Sequence, residues 1–158
     1  MDTSVSPMRV AMNVGAVTAI LMLITALAGW QKISWFIFAI GICSGMKRHR
    51  SELGGCISYF RALQAGFQTA FYTSLIIAFA VYVMVTFKPA LIDSTLEIVE
   101  QQVLSSGLSP EVILPQMKKT LTPVMLGLSA IFAYCAMGGI VSFILAFFVK
   151  KHLIFVKY

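Results

Sequence analysis

Residues 62–87 read ALQAGFQTAFYTSLIIAFAVYVMVTF, a stretch of 26 residues without a charged side chain. As an α-helix it would be about 39 Å long, at 1.5 Å per residue. The hydrocarbon core of a bilayer is only about 30 Å thick. Because no water is present there to pair with the backbone, a spanning segment must satisfy its own N–H and C=O groups. The stretch therefore predicts a transmembrane helix.

Three further charge-free runs lie at residues 10–30, 33–46 and 121–149. The first and the last also reach the roughly 20 residues that a transmembrane helix needs. The run 33–46 has only 14 residues, a length that fits a re-entrant segment about as well as a full crossing. Lys32 and Lys47 flank this run and can extend to the two interfaces. We therefore favour a spanning hairpin with the first run.

The composition is typical of a membrane protein. Of the 158 residues, 59% are hydrophobic and 11% are charged, whereas about a quarter of the residues in soluble domains are charged. We predict an all-α membrane protein, a single four-helix transmembrane domain over residues 1–158. The four transmembrane helices are predicted at about residues 10–30, 32–47, 62–87 and 121–149.

The distribution of basic residues predicts the orientation. With four crossings, one side holds eight of them, namely Arg9, Lys47, Arg48, Arg50, Arg61, Lys150, Lys151 and Lys157. The other side holds four, namely Lys32, Lys88, Lys118 and Lys119. The positive-inside rule then places both termini and the 47–61 loop in the cytoplasm, and in a bacterium the 88–121 loop in the periplasm. Nucleic-acid binding is not indicated, because these residues flank hydrophobic runs and form no basic surface interleaved with aromatics.

Residues 90–120 predict an extramembrane amphipathic helical hairpin between helices three and four. The apolar residues Ile92, Leu96, Val99 and Val103 recur at helical spacing. Gly107 would end this first helix, and Ser109-Pro110-Glu111 has the N-cap and first-turn proline that begin a second one. The hairpin either covers the bundle at the membrane surface or provides a lid or docking surface for a partner.

A polar stripe enters the membrane at the basic loop. Arg61, Gln64, Gln68 and Tyr72 recur at spacings of three, four and four. Together with the basic loop they are candidates for binding an anionic lipid headgroup or a polyprenyl phosphate at the cytoplasmic interface. The full candidate set is Lys47, Arg48, Arg50, Arg61, Gln64, Gln68 and Tyr72. The alternative is that these residues form interhelical hydrogen bonds and carry ordinary positive-inside charge.

Small residues form ladders that allow helices to approach closely. They are Ala62, Gly66, Ala70, Ser74 and Ala78 in the third run, with Gly138, Ser142 and Ala146 in the fourth. Run one repeats the pattern at Ala11, Gly15 and Ala19. The ladders predict packing within the bundle, or an interface with a partner protein.

The sequence offers no catalytic residues, no cofactor site and no metal site. No ionisable Asp, Glu, Lys, Arg or His lies within the charge-free runs, which disfavours an ion-coupled transporter. His49 and His152 lie beside basic residues, where a solvated or headgroup-facing role is expected. Cys43, Cys56 and Cys135 have no disulfide-framework or zinc-ligand spacing, and their redox state stays open. We expect a protein that is not an enzyme.

The stretch from His49 to Gly66, which contains Glu52-Leu53-Gly54-Gly55 and Ile57-Ser58-Tyr59, resembles a signature of an uncharacterised membrane family of Bacteroidota, domain of unknown function 4199. A second landmark is similar at Gly107-Leu108-Ser109-Pro110-Glu111 and Leu121-Thr122-Pro123. This chain departs from the pattern at Cys56, Tyr59 and Pro115. The resemblance implies a bacterial inner-membrane location and no activity. It also implies that the protein associates with glycosyltransferases of the envelope that act on glycans or polyprenyl phosphates.

Two functions remain as hypotheses. The first is a non-catalytic accessory or structural subunit of an envelope-associated membrane complex, in contact with the lipid bilayer and with a membrane-protein partner or further copies of itself. The alternative is an oligomeric lipid-handling or small-solute transport protein that binds anionic or polyprenyl-phosphate headgroups.

Overall fold

The structure is a computed structural model and describes residues 7–106, 115 and 118–149. The predicted all-α class is confirmed over these residues. The helices whose bounds lie within the described residues are α1 Pro7–Leu27, α2 Gln31–Glu52, α3 Tyr59–Phe87, α4 Ala90–Ser105 and α5 Pro123–Val149.

Among the described residues, three helices, not the predicted four, are long and apolar enough to cross a membrane. They are Met8–Leu27 within α1, Tyr59–Phe87 and Pro123–Val149. The predicted crossing at residues 32–47 falls in α2, which carries Lys32 in its first turn and Lys47, Arg48, Arg50 and Glu52 towards its end. The charge-free centre of α2 is about 21 Å long, shorter than the roughly 30 Å of hydrocarbon. The prediction of four crossings was wrong because it extended the apolar segment of α2 to the flanking Lys32 and Lys47.

Helix α2 packs antiparallel along α1. The turn between them places Gly29 at φ 79°, a left-handed conformation that favours glycine. Just beyond the turn, the hydroxyls of Thr25 and Ser34 are 2.8 Å apart. Further along, Gly41 lies against the side chain of Thr18, so closely that a Cβ at residue 41 would overlap it. The hairpin thus returns the chain to the end where α1 begins.

The chain forms two compact units, one made of residues up to Ile76 together with those from Ile131, and the other of Ile77–Ala130. In the first unit α1 and α3 approach closely at Gly15. A Cβ there would lie 3.0 Å from the Cβ of Tyr72 and 3.1 Å from the carbonyl oxygen of Thr69. The hydroxyl of Thr73, itself fully buried, donates to the carbonyl oxygen of Gly15 at 3.3 Å. Glycine at position 15 is what permits this contact between helices.

The second unit contains α4 and the beginning of α5. In α4 the apolar Ile92, Leu96, Val99 and Val103 are half-buried; Glu97 and Gln101 of the opposite face are exposed, but Glu100 is half-buried. At the start of α5, the backbone N–H of Met125 donates to the hydroxyl of Thr122 at 3.3 Å. Thr122 is therefore the N-cap of α5. Gly107 and the predicted helix start at Ser109-Pro110-Glu111 lie outside the described residues.

Candidate functional site

The basic residues around residues 47–61 lie where several helix ends meet. The Nη1 of Arg50, near the end of α2, donates to the carbonyl oxygen of Val149, the last residue of α5, at 3.3 Å. The hydroxyl of Tyr59, the first residue of α3, donates to the carbonyl oxygen of Phe143 at 3.3 Å. The start of α1 lies at the same end because α2 runs back along it. We call this the basic end of the first unit.

A tight corner between α2 and α3 orients the side chains at the basic end. Gly54 has φ 76°, and its N–H donates to the carbonyl oxygen of Ser51 at 3.2 Å, while the N–H of Gly55 donates to Arg50 at 3.0 Å. This pair of bonds is the Schellman motif, which ends helices at a left-handed glycine. The chain enters α3 at Tyr59, four residues after Gly55, and the N–H of Arg61 lies 3.5 Å from the Ser58 hydroxyl. The Glu52-Leu53-Gly54-Gly55 stretch therefore ends α2, and α3 begins shortly afterwards, directly after Ser58.

The corner brings the end of α2 against the start of α3 around a small cavity. The cavity has a volume of about 210 Å³. Its lining residues are His49, Leu53, Arg61, Gln64, Ala65 and Gln68. We call it the corner cavity. Since one water occupies roughly 30 Å³ of liquid, the space admits a group the size of a phosphate.

The corner cavity is lined by side chains that can donate hydrogen bonds, and none of its described lining residues is an acid that would compete with an anionic ligand for them. Arg61, Gln64 and Gln68 make no side-chain hydrogen bond with another residue that the structure describes. A guanidinium can bind two oxygens of a phosphate at once, and each glutamine amide offers two further N–H donors. Such a set suits an anionic oxygen ligand.

His49 belongs to this cavity, although sequence reasoning expected only a solvated or headgroup-facing ring. It is half-buried, and its Nδ1 is buried without a hydrogen-bond partner in the described chain. A signal was present in the sequence: His49 and Leu53 are four residues apart and share a helix face. Only the corner geometry shows that this face meets α3. The other histidine, His152, lies outside the described residues.

The seven residues predicted for headgroup binding are divided among several surfaces. Arg61, Gln64 and Gln68 line the corner cavity. Arg50 is engaged with Val149. Arg48 lies in a separate groove between α1 and α2, and Lys47 is exposed. Tyr72 packs towards α1 at Gly15 rather than towards the cavity.

The small-residue ladders lie inside the molecule. A Cβ at Gly66 would be 2.7 Å from the hydroxyl of Ser142, and a Cβ at Gly138 would overlap Ala70. The Ser74 hydroxyl lies 3.3 Å from the sulfur of Cys135. Ala62, Ala146 and Ala78 are also buried. In the first unit these contacts join α3 to α5, so the ladder positions there are occupied by neighbours from the same chain.

Within the described residues, no group of three His, Cys, Asp or Glu side chains is placed to hold a metal ion. Fold and site together define an α-helical protein whose three long apolar helices indicate a membrane protein, with a small cavity of hydrogen-bond donors at its basic end. The chain belongs to the family described as "Protein of unknown function (DUF4199)", whose model matches residues 10–151. The resemblance noted in the sequence is thereby confirmed. No curated protein and no solved structure matches the chain.

Proposed function

We propose that this protein is a non-catalytic membrane protein that binds the phosphate of an anionic lipid headgroup in the corner cavity. The observation that carries the proposal is the convergence on one cavity of the side chains of Arg61, Gln64 and Gln68, which make no hydrogen bond with another described residue. Gln68 is half-buried, and a polar group withdrawn from water is costly when unpaired, by about 1–3 kcal/mol. Arg61 and Gln64 are exposed, so their donors are open to a ligand. A phosphate would pair donors of all three side chains at once. Phospholipids and polyprenyl phosphates both present this group.

The position of the cavity supports a ligand that arrives from the membrane surface. Arg61 lies in the first turn of α3, and Gln68 lies about 10 Å further along the helix. This is the depth range of headgroups and the adjoining hydrocarbon boundary. We place the basic end in the cytoplasm of a bacterium, at the inner membrane, because juxtamembrane Lys and Arg favour that side. Residues 88–121 then lie on the periplasmic side.

The test compares two variants that each remove one positive charge from the basic end. Arg61→Gln alters the cavity, whereas Lys47→Gln alters an exposed residue outside it. Purified full chain would be titrated in mixed micelles with phosphatidylglycerol, with phosphatidylcholine as the uncharged comparison. We expect Arg61→Gln to weaken phosphatidylglycerol binding at least fivefold and Lys47→Gln to change it less than twofold. Gln68→Leu, which preserves the charge, should also weaken binding.

Equal losses in Arg61→Gln and Lys47→Gln would mean that general electrostatics, not the cavity, attracts the lipid. Retention of full binding in Gln68→Leu would also contradict the proposal. Inorganic phosphate and farnesyl phosphate provide two further titrations. If inorganic phosphate binds as tightly as farnesyl phosphate, the cavity does not prefer a lipid-linked phosphate. That result would overturn the headgroup assignment in favour of a soluble anion.

A second proposed function is that of an accessory subunit, for which the outer face of α5 is the relevant surface. Of the most apolar stretch of α5, 17% is buried, against 33% in α1 and in α3. Its outward positions include the small residues Ala133, Ala136 and Gly139, and a Cβ at Gly139 meets no described atom within 4 Å. Small outward residues in a membrane helix favour a partner helix. An envelope glycosyltransferase or another copy of this chain would be the partner.

The accessory role is tested with Gly139→Leu, which has room in the isolated chain. Ile140→Leu serves as a control at the neighbouring lipid-facing position. After purification in mild detergent, we expect wild type and Ile140→Leu to migrate as a complex and Gly139→Leu to migrate as a single chain. A wild-type protein that purifies as a single chain would contradict the accessory role.

A further inference from the structure

A second cavity lies on another face of α2, between α1 and α2. This groove has a volume of about 360 Å³. Its principal walls are Asn13, Val17 and Leu21 of α1 with Ile37, Ile40 and Arg48 of α2. We call it the α1–α2 groove. It shares none of its described lining residues with the corner cavity.

The groove is polar at one end and apolar along the rest. Asn13, Ser44 and Arg48 lie towards the basic end of the hairpin, because α1 begins where α2 finishes. From there the walls continue through Val17 to Leu21 on α1. All the lining residues beyond this polar end except Thr18 and Gly41 are aliphatic. The groove therefore has a polar end and an apolar length, which match the headgroup and the hydrocarbon chain of an amphiphilic ligand.

The length of the groove equals one leaflet of a bilayer. Along α1 it extends from Asn13 to Leu21, about 12 Å, and along α2 from Ile37 to Arg48, about 16 Å. Half of a roughly 30 Å hydrocarbon core is about 15 Å. A chain that entered at Arg48 and followed the groove would reach about the middle of the bilayer.

The floor of the groove exists because two helices approach closely at a glycine. Gly41 has no side chain to fill the space, and the Thr18 side chain lies directly against it. The Thr18 hydroxyl donates to the carbonyl oxygen of Val14 at 2.7 Å, so its polar group is paired within α1. The floor consequently presents no unpaired threonine donor to an apolar chain.

The positive charge of Arg48 at the polar end of the groove indicates an anionic headgroup on the ligand. Arg48 is exposed and forms no ion pair or hydrogen bond with another described residue. Asn13, whose side chain is also exposed, lines the same polar end of the groove. An arginine binds phosphate oxygens in pairs, and an asparagine amide can donate to a third.

We propose that the α1–α2 groove is a binding site for one acyl chain of an anionic phospholipid, whose phosphate binds Arg48 and Asn13. The proposal adds a second lipid site to the corner cavity and does not depend on it. A helix of a partner or of a second copy fits less well, because it would place apolar surface over the unpaired Arg48. Burying an unpaired charge is costly.

The experiment uses the full chain in nanodiscs that contain phosphatidylglycerol with a diazirine in the middle of one acyl chain. After photolysis, mass spectrometry of the peptides locates the crosslinks. We expect them to concentrate on Val17, Leu21, Ile37 and Ile40, several-fold above Phe132 of α5, although Phe132 is the more exposed side chain. Replacing the probe by phosphatidylcholine with the same diazirine should lower this labelling at least threefold.

Two variants with matched controls test the two halves of the site. Ser44→Leu fills the groove, and Ser129→Leu makes the same change at an exposed position of α5. Arg48→Gln removes the phosphate ligand, and Lys47→Gln removes a neighbouring charge. We expect Ser44→Leu to reduce the crosslinks at least fivefold and Arg48→Gln to abolish the preference for phosphatidylglycerol, with both controls near wild type. Arg61→Gln should leave these crosslinks unchanged.

Three outcomes would overturn the proposal. One is labelling spread evenly over all lipid-facing helices. Another is an unchanged preference in Arg48→Gln, a surface variant that should fold normally. The third concerns a photoreactive residue placed at position 44. If it crosslinks to Ile37 or Ile40 of a second copy of the chain, the groove is an interface between copies.

Discussion

The guanidinium of Arg50 donates a hydrogen bond through Nη1 to the carbonyl oxygen of Val149, 99 residues later in the chain, at 3.3 Å. The last carbonyls of a helix have no partner within the helix and carry partial negative charge. Arg50 therefore supplies both a donor and a compensating charge to the end of α5. Among the predicted headgroup ligands, it is the one whose guanidinium is used to join two helices.

Replacing Arg50 should reduce stability more than replacing its neighbour Lys47. Arg50→Gln removes the bond to Val149, whereas Lys47→Gln removes an exposed charge. A charge-assisted hydrogen bond contributes about 1.5–3 kcal/mol, and partial exposure of Arg50 brings the expected loss to about 1 kcal/mol. The free energy of unfolding in micelles measures this difference. A Lys47→Gln variant that loses as much would contradict the specific role of Arg50.

Adding one methyl group at Gly15 should be far more harmful than adding it at Gly139. A Cβ at residue 15 would lie 3.0–3.2 Å from atoms of Tyr72, Thr69 and Thr73, two of them backbone atoms that have little room to move. Overpacking of this kind costs about 1–3 kcal/mol. At Gly139 no described atom lies within 4 Å of the new group. Thermal unfolding should show a lower midpoint for Gly15→Ala and an unchanged or higher one for Gly139→Ala.

The hydroxyl of Thr73 should contribute to the contact between α1 and α3. It donates to the carbonyl oxygens of Gly15 at 3.3 Å and of Thr69 at 2.8 Å. Thr73→Val keeps the shape and removes the donor, and interhelical hydrogen bonds in membranes contribute about 0.6 kcal/mol on average. Thr86→Val is the control, since Thr86 bonds only to Tyr82 of its own helix among the described residues. The pair should differ by about 0.5–1 kcal/mol in unfolding free energy, and identical values would show that the bond to Gly15 is without effect.

The corner between α2 and α3 should depend on a left-handed residue at position 54. Gly54 has φ 76°, a conformation that costs a residue with a Cβ about 1–2 kcal/mol. Asparagine tolerates this conformation better than alanine does. We expect Gly54→Ala to lower the unfolding midpoint clearly and Gly54→Asn to lower it less. Since no described atom lies within 4 Å of a Cβ there, steric overlap does not confound the comparison.

Much of the fold was predictable because long apolar runs have few physical solutions. The helices at residues 62–87 and 121–149 were placed within three residues of their observed bounds. Helix α2 was harder to predict. Residues 48–52 are charged or polar and look like a loop, yet they remain helical until the two left-handed glycines end α2.

The candidate site was only partly predictable. The periodicity of Arg61, Gln64, Gln68 and Tyr72 put them on one stripe of α3, and the first three line the corner cavity, whereas Tyr72 packs towards α1. Charge alone could not separate Arg48 from Arg50. Two residues apart on a helix, they differ by about 200° in direction, so one lies in the α1–α2 groove and the other reaches α5. That assignment depends on which helices surround α2, and such long-range packing is not visible in local sequence.

The three central hydroxyls of α3 bear on how the helix enters the bilayer during synthesis. Thr69, Thr73 and Ser74 each donate to a carbonyl oxygen three or four residues earlier in α3 itself, at 2.9, 2.8 and 2.7 Å. A newly inserted α3 can therefore leave the translocon with these three hydroxyls already paired, before α5 has been made. In the folded protein the Thr73 hydroxyl also donates to Gly15, and the Ser74 hydroxyl also contacts the sulfur of Cys135. Both contacts use hydroxyls that already have a partner within α3. Insertion and assembly of this helix thus become separable steps.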